Sequence, residues 1–294
     1  MKNNPFLLLA LAGLCWSGNH LVGRAMGGQV PPIGVSTLRW LVPLLLILPL
    51  AWPHLARDWP KIRAHWPAML WLGLTGGAMF SILQYVGLRY TTALNVSVLN
   101  SLVPVLIIAV GTLMFRDRIT GLQIAGIATS SLGVLVVISR GQIDTLRQFA
   151  FNWGDLLTVL SMVFFAVYAA CLRLRPQINH WSFLTVLAAI SVVCAVPLAI
   201  AEAYSGDITF QATWLTFGSV AYVSIFPSVV AYTAWNRGVE LIGANRAGPF
   251  LHLVPVFTAI LATTLLDEPL ALFHVAGFAL ILGGVWLASV RKPV

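Results

Sequence analysis

Long apolar runs, separated by short connections, fill almost the whole chain. Ten runs can be counted, at about 6–25, 34–52, 67–87, 92–114, 120–139, 154–173, 181–202, 213–236, 243–266 and 270–290. A helix needs roughly 20 consecutive apolar residues to cross the hydrocarbon core of a bilayer. The runs therefore predict an all-α integral membrane protein with ten transmembrane helices.

The scarcity of charge supports a lipid environment. Charged residues make up 9% of the chain and hydrophobic residues 59%, whereas a soluble domain carries about 25% charged residues to keep its surface hydrated. The formal net charge of +8 arises from basic residues beside the apolar runs, so it indicates membrane flanks and not a nucleic-acid partner.

The basic residues are distributed unevenly between the two sides of the predicted membrane. Arg24, Arg39, Arg89, Arg140 and Arg147 fall on one side, and the other twelve of the 17 Lys and Arg residues fall on the side of both termini. Loops rich in Lys and Arg stay in the cytoplasm. We therefore expect a multi-pass protein of the bacterial inner (plasma) membrane with both termini cytoplasmic.

A tetrapeptide, LVPV, occurs at 102–105 and again at 253–256. Shifting the chain by 151 residues aligns 87–134 with 238–285 without a gap, and 12 of the 48 positions are identical. Shared apolar composition explains part of this agreement, but Gly and Pro, whose backbone effects are specific, also match in register. We interpret this as an internal duplication, with one repeat at 1–150 and a second at 151–294.

Each repeat contains five predicted helices, and five is an odd number. If the first helix starts in the cytoplasm, the sixth starts on the opposite side, so the second repeat is inverted relative to the first. Inverted repeats with interrupted helices are a recurring design of secondary transporters, which bind substrate between the repeats near the middle of the membrane. The sequence therefore predicts two inverted five-helix repeats around a central cavity.

The proline of each LVPV copy is followed thirteen residues later by an acidic residue: Pro104 by Asp117, and Pro255 by Glu268. With ten helices in two halves, this pattern resembles the EamA family of the drug/metabolite transporter superfamily. The stretch LCWSGNHLVGRAM at 14–26 is most similar to the YddG-type aromatic amino-acid exporters. One departure is Asp117-Arg118, where the family more often has a glutamate and a small or apolar residue; we expect little functional consequence at this loop.

Helix-breaking residues fall at matching places in the two halves. Gly76 and Gly77 correspond, after the 151-residue shift, to Pro227 and Ser228, and Pro104 corresponds to Pro255. A proline inside a helix removes a hydrogen bond and frees a carbonyl, which lipid cannot satisfy but a cavity or ligand can. These residues predict helix breaks that border the cavity, with a simple packing kink as the alternative.

Polar and aromatic residues lie at helical spacing on the same segments. Polar groups at membrane depth usually face a pathway or the bundle interior, although Ser, Asn, Gln and His also hydrogen-bond neighbouring helices. The predicted substrate-binding residues are Trp16, Asn19, His20, Phe80, Gln84, Ser97, Asn100, Ser101, Tyr168, Ser228, Tyr232, Trp235 and His252.

Fixed charge is scarce in this predicted cavity. All nine acidic residues lie at the ends of runs or in loops, so none is placed to neutralise a bulky cation. We expect Arg24 and Arg39 to extend to the lipid headgroups. A neutral, zwitterionic solute with an apolar side chain fits such a site, with its charged ends at helix termini and freed backbone groups.

The predicted function is that of a secondary transporter. It would export small neutral metabolites, amino acids with aromatic and other apolar side chains among them, by alternating access. Alternatives are an exporter of other metabolites or drugs, an intramembrane enzyme, and a channel, scramblase or receptor partner. We expect membrane lipid as surroundings, a monomer, and no catalytic residue, metal, cofactor or nucleic-acid partner.

Overall fold

A computed structural model describes residues 4–25, 30–91, 93–142, 144, 147, 151–205, 210–266 and 271–289. Within these ranges every regular element is helical and no strand occurs. In the first half the elements are α1 (Pro5–Ala25), α2 (Pro32–Ala64), α3 (Trp66–Leu72), a π-helical segment (Gly73–Met79), α4 (Phe80–Tyr90), α5 (Ala93–Asn100), α6 (Val103–Phe115) and α7 (Gly121–Ile138).

The second half contains the same kinds of element. They are α8 (Trp153–Cys171), a 3₁₀ turn (Leu172–Leu174), α9 (His180–Ser205), α10 (Trp214–Ile225), a π-helical segment (Phe226–Val230), α11 (Ala231–Ile242), α12 (Ala244–Ala247), a 3₁₀ segment (Gly248–His252), α13 (Leu253–Leu266) and α14 (Leu272–Ser289).

Local sequence explains where several of these helices begin. Thr120 and Gln123 form a reciprocal capping box at the start of α7, and Asn152 and Asp155 form another at the start of α8. Such boxes satisfy backbone N–H groups that have no partner within the helix. Pro32 begins α2, where its missing N–H removes no hydrogen bond.

Seven helical stretches in the described residues are long and apolar enough to cross a membrane. Pro5–Asn19 and Val103–Phe115 are shorter apolar helices, and 244–266 is interrupted by its 3₁₀ segment. All ten predicted runs are mainly helical in the described residues, so the helical class is confirmed. The number of helices that cross a membrane stays a prediction.

Helix α2 is longer than the apolar run that predicts it. It continues to Ala64, with four internal prolines at Pro43, Pro49, Pro53 and Pro60. The sequence therefore misplaces a connection at 53–66. Two prolines and several charged residues in this stretch are typical of a loop. The structure shows instead that α2 continues beyond its apolar residues as a helix.

The exterior is apolar and the interior holds many small polar side chains. Leu113, Trp214 and Leu272 are 82%, 92% and 85% exposed, whereas Ser81 and Ser224 are fully buried. This distribution is typical of a protein in lipid. Lipid tails are as apolar as the exposed side chains, and buried hydroxyls can hydrogen-bond between helices.

Helices α7 and α14 cross at glycines in a reciprocal pattern. A Cβ on Gly126 would lie 2.6 Å from the Gly284 carbonyl oxygen, and a Cβ on Gly133 would lie 2.7 Å from that of Gly277. The 151-residue shift converts Gly126 into Gly277 and Gly133 into Gly284, so it exchanges the two contacts. A two-fold relation between matching elements produces such reciprocity; that the two halves are a duplication stays a prediction.

Candidate functional site

The two π-helical segments occupy matching places in the two halves. Gly73–Met79 contains Gly76 and Gly77, and Phe226–Val230 contains Pro227 and Ser228. A π-helical turn leaves carbonyl groups out of the regular hydrogen-bond ladder and is frequent at functional sites. Both matched breaks therefore expose backbone acceptors inside the bundle.

Aromatic side chains donate hydrogen bonds to these acceptors. The Tyr232 hydroxyl donates to the Gly76 carbonyl, and Trp16 Nε1 donates to the Pro227 carbonyl over 3.1 Å. Gly76 is needed on steric grounds, because a Cβ there would overlap the ring of Tyr168. In this conformation the breaks are closed by protein groups and are not open to a cavity at those two atoms.

Seven aromatic residues, five of them buried and two partly buried, form one group, which we call the aromatic cluster. Ring-centroid distances within it run from 5.0 Å for Trp40–Tyr232 and Phe80–Phe165 to 6.1 Å for Trp16–Tyr232. Such spacings are those of favourable aromatic pairs. The members are Trp16, Trp40, Phe80, Phe165, Tyr168, Tyr232 and Trp235.

Five members of this cluster were predicted as site residues, and the structure brings them together. Sequence reasoning missed Trp40 and Phe165. Phe165 lies four residues after Ser161 and three before Tyr168, so the helical spacing of buried residues on α8 contained the signal. Trp40 lies on α2, on which the sequence predicted no site residue.

Polar pairs surround the aromatic cluster. Tyr168 donates to Asn236 Oδ1 over 2.6 Å, the Ser161 hydroxyl donates to Gln84 Oε1 over 2.7 Å, and Tyr85 donates to Asn19 Oδ1 over 3.2 Å. Asn19 follows Trp16 by three residues and Gln84 follows Phe80 by four, so helical spacing places each on the face of a cluster member. Each joins two helices through its side-chain oxygen.

His252 belongs to a separate network that joins the second 3₁₀ segment to α7 and to the turn after α5. Its Nε2 lies 3.0 Å from the Ser101 carbonyl and its Nδ1 lies 2.6 Å from Ser130 Oγ. Because a carbonyl can only accept, Nε2 carries the proton, and Nδ1 accepts from the Ser130 hydroxyl in the neutral ring. Both ring nitrogens are thus used by the protein. Asn100 ends α5 beside this network.

Pro104 and Pro255 lie in the first turns of their helices, whereas the sequence predicted that they interrupt helix interiors. Pro104 is the second residue of α6 and Pro255 the third residue of α13. First-turn N–H groups have no partner within a helix, so a proline there breaks no bond. The interruptions precede the prolines, at 101–102 and 248–252. The side chains of His20 and Ser97 lie outside the described residues.

Arg39 is buried, and the expectation that it reaches the headgroups is wrong. It is 1% exposed, and its Nε donates a 2.9 Å hydrogen bond to Ser228 Oγ in the second π-helical segment. Ser228 in turn donates to the Val223 carbonyl. A cation therefore lies directly against a predicted helix break. The side chain of Arg24 lies outside the described residues.

A cleft of about 320 Å³ opens at the ends of α8 and α11. Arg173, Arg175, Glu240 and Asn236 contribute to its lining. Asn236 is also the residue that accepts the hydrogen bond of Tyr168. Asn236 therefore connects the lining of the cleft to the aromatic cluster through one hydrogen bond.

Asp117 forms an ion pair with Arg173, a residue of the cleft lining. Arg173 donates to both carboxylate oxygens, over 2.9 and 2.6 Å, and Asn245 donates to one of them over 3.2 Å. The hydrogen bonds from Arg173 are the main reason that the pKa of Asp117 is lowered. Asp117 thus joins its loop to the 3₁₀ turn after α8 and to α12. Its counterpart Glu268 lies outside the described residues.

The chain was compared with known proteins. A family model described as the EamA-like transporter family matches residues 4–139 and 152–290. The uncharacterized transporter YyaM of Bacillus subtilis is 30% identical over 239 residues, which cover 79% of this chain and 77% of that protein. The probable amino-acid metabolite efflux pump of Escherichia coli is 26% identical, with 98% and 95% covered.

One solved structure has the same fold. It is 20% identical to this chain and superposes with a TM-score of 0.76 over 97% of this chain and 96% of its own. At this identity the likeness shows the fold alone.

Proposed function

Because this chain belongs to the EamA-like transporter family, we propose that it exports small neutral metabolites, amino acids with aromatic and other apolar side chains in particular, by alternating access. The protein is a transporter of this type, and a relative named as a probable amino-acid metabolite efflux pump supports the substrate class. Other metabolites or drugs are the alternative substrates within the same superfamily.

The observation that carries this proposal is the aromatic cluster, which the Tyr168–Asn236 hydrogen bond connects to the lining of the cleft. Its rings offer an apolar surface, and the neighbouring Asn19, Gln84 and Asn236 offer amide groups. Binding sites for small molecules combine such apolar walls with a few directed polar groups. The amide oxygens already have partners, so an entering amino acid would exchange with these internal bonds.

Alternating access would involve the two π-helical segments. In the cleft-open conformation, Trp16 and Tyr232 bond the carbonyls of these segments. Movement of one repeat against the other would break these bonds and open the opposite side, as in carriers built from inverted repeats. We place the ten-helix, inverted arrangement in the bacterial inner membrane, as a monomer with cytoplasmic termini and the cleft facing the cytoplasm.

We expect transport down the substrate gradient without proton coupling. Proton-driven carriers commonly use a buried carboxylate or histidine. The described carboxylates lie near helix ends and accept hydrogen bonds, as Asp155 does from Asn95 and Asp58 does from Ser182. His252 has both ring nitrogens engaged by Ser101 and Ser130.

Flux of labelled phenylalanine, leucine and alanine into liposomes containing the purified protein tests the function. We expect saturable, protein-dependent flux that an imposed pH gradient does not concentrate. An enzyme or a receptor partner would give no flux, and a channel would not saturate. Accumulation against the gradient that His252→Ala abolishes would contradict the absence of proton coupling.

The variant Trp16→Ala tests the role of the aromatic cluster. Loss of a buried large apolar contact is worth roughly 1.5–3 kcal/mol, so phenylalanine affinity should fall about tenfold to a hundredfold, and alanine affinity less. Trp286→Ala is the matched control, because Trp286 is 69% exposed on α14. An equal loss for all substrates would point to misfolding.

A further inference from the structure

Two polar atoms on one face of α2 are buried without a hydrogen-bond partner. They are Ser36 Oγ and Arg39 Nη2, and both residues are 1% exposed. A third such atom, Trp235 Nε1, belongs to the aromatic cluster. An unsatisfied buried polar group destabilises a fold by about 1–3 kcal/mol, so three of them around one cluster need an explanation.

The unpartnered atoms on α2 lie where the aromatic cluster meets the second π-helical segment. Residues three and four apart share a helix face, so Ser36 lies on the face of Arg39 and Trp40. Arg39 Nε bonds Ser228 of the π-helical segment, and the Trp40 ring packs on Tyr232 at 5.0 Å. The face therefore borders the proposed substrate site.

The charge of Arg39 has no counterion in the described part of the chain. No described carboxylate lies within ion-pair distance of its guanidinium. Glu202 approaches α2 nearby, but its two oxygens accept from the backbone of Ile33 and Gly34. A buried cation without a partner is unfavourable by several kcal/mol. An anion that binds here would remove that penalty.

We propose that Arg39 and Ser36 bind the carboxylate of the transported molecule, while the aromatic cluster holds its apolar part. A guanidinium matches a carboxylate in geometry as well as charge, and the Ser36 hydroxyl adds a donor on the same helix face. This inference rests on the proposed function. The sequence predicted that helix termini bind the charged ends of the substrate, and here a side chain binds the carboxylate instead.

The imbalance of charge at this site, a cation without a nearby carboxylate, defines the substrate class. The site has a cation for a carboxylate, but the described residues around it supply no carboxylate for an ammonium group. An α-ammonium group is then tolerated and not required. Small monocarboxylates with an apolar body, such as N-acylated amino acids and 2-oxo acids, are substrates together with the free amino acids.

Ligand-induced thermal stabilisation of the purified protein measures binding apart from transport. Phenylalanine and N-acetylphenylalanine should raise the melting temperature, and phenylalaninamide, which lacks the carboxylate, should not. Arg39→Gln should weaken the binding of both acids at least tenfold, since it removes a charge-assisted contact. Ser36→Ala should weaken it less, and Arg147→Gln, at an exposed arginine, should leave it unchanged.

A readout without ligand separates binding from a structural role. Arg39→Gln removes an unpaired buried charge, so the ligand-free protein should be at least as stable as the wild type. A clear loss of stability in Arg39→Gln, together with unchanged acid binding in Ser36→Ala, which keeps the arginine, would mean that both residues are structural and would overturn the proposal.

The outcomes distinguish this inference from the proposed function. Amino-acid flux with an acid-over-amide preference that Arg39→Gln leaves unchanged would overturn the inference alone. Stabilisation by acids that depends on Arg39, without flux of any of them, would overturn the transport function and keep the site. Stabilisation by inorganic phosphate and not by the acids, or by none of these probes, would overturn the carboxylate assignment.

Discussion

The imidazole Nε2 of His252 donates a 3.0 Å hydrogen bond to the backbone carbonyl of Ser101, a residue 151 positions earlier. The same shift superimposes the two LVPV copies, so these residues hold equivalent places in the two halves. Each lies at the interruption that precedes the proline. The two halves are therefore joined directly at their matching breaks.

We predict that His252→Ala destabilises the protein without changing substrate preference. The change removes both hydrogen bonds of the buried imidazole, to the Ser101 carbonyl and the Ser130 hydroxyl, and each is worth about 0.5–1.5 kcal/mol. Thermal unfolding in detergent measures the effect. Ser130→Ala, which keeps the bond to Ser101, should lose less. A changed substrate preference at full stability would instead place His252 in the binding site.

Neighbouring glycines on α14 give a matched pair of substitutions. A Cβ on Gly284 would lie 2.5 Å from the Gly126 carbonyl oxygen and from the Ser130 backbone nitrogen, whereas one on Gly283 would meet nothing within 4 Å. Gly284→Ala should therefore lower stability by about 1–3 kcal/mol through overpacking.

Gly283→Ala should be neutral or stabilising by up to about 1 kcal/mol, because alanine is the better helix former. Melting temperatures of the two variants, measured side by side, check the pair. Equal behaviour of the two would mean that α7 and α14 do not cross at these glycines.

The positions of most helices were predictable because lipid imposes length and apolarity on every crossing segment. The matched breaks at Gly76 and Pro227 were also visible, since Gly and Pro have local backbone effects. In contrast, the end of α2 was missed. Beyond its apolar part a helix no longer needs apolar residues, and Pro53 and Pro60 then read as loop residues.

The composition of the site was harder to predict than its position. An arginine near the end of an apolar run reads as a headgroup contact, and only packing shows that Arg39 turns inward to Ser228. Likewise, a sequence shows Trp16 and Tyr232 as aromatic residues but does not show that both bond backbone carbonyls of the breaks. These contacts join distant segments, which a single sequence without homologues does not reveal.

The ion pair between Asp117 and Arg173 predicts a pH dependence of stability. The pKa of Asp117 is lowered in the folded state, so its contribution is present above the ordinary value of about 3.9 and is lost as the pH falls through the lower folded value. Melting temperatures between pH 7 and pH 3 should show this loss.

Asp117→Asn should be less stable than the wild type at pH 7. The difference should be about 1 kcal/mol or less, because solvent screens an ion pair at an exposed position and the Arg173 side chain is 40% exposed. The difference should shrink at low pH. A difference that stays constant with pH would mean that the carboxylate charge does not contribute. Asp144→Asn is a matched control, since that carboxylate pairs with Arg147 at an exposed position.

The charge asymmetry predicts that the C-terminus lies in the cytoplasm. A fluorescent protein fused there should fluoresce, and alkaline phosphatase fused at the same place should be inactive. The connection after α1 supplies the opposite control, because a phosphatase inserted there should be active. A dark fluorophore with an active C-terminal phosphatase would contradict the orientation.

The hydrogen bonds of Trp16 and Tyr232 predict which conformation the protein favours. Trp16→Phe and Tyr232→Phe each keep an aromatic ring but remove the donor to a π-segment carbonyl. A net hydrogen bond is worth about 0.5–1.5 kcal/mol, so either change should shift the population away from the cleft-open conformation by roughly two- to tenfold.

Labelling of Gln177→Cys by an impermeant maleimide follows this shift, since Gln177 lines the cleft and is exposed. Labelling should slow in both variants. Trp40→Phe is the matched control, because the Trp40 indole donates to the Ser81 hydroxyl and not to a break carbonyl, so it should label like the parent. If Trp16→Phe and Tyr232→Phe also label like the parent, these bonds do not hold the cleft open, and the two breaks are structural features only.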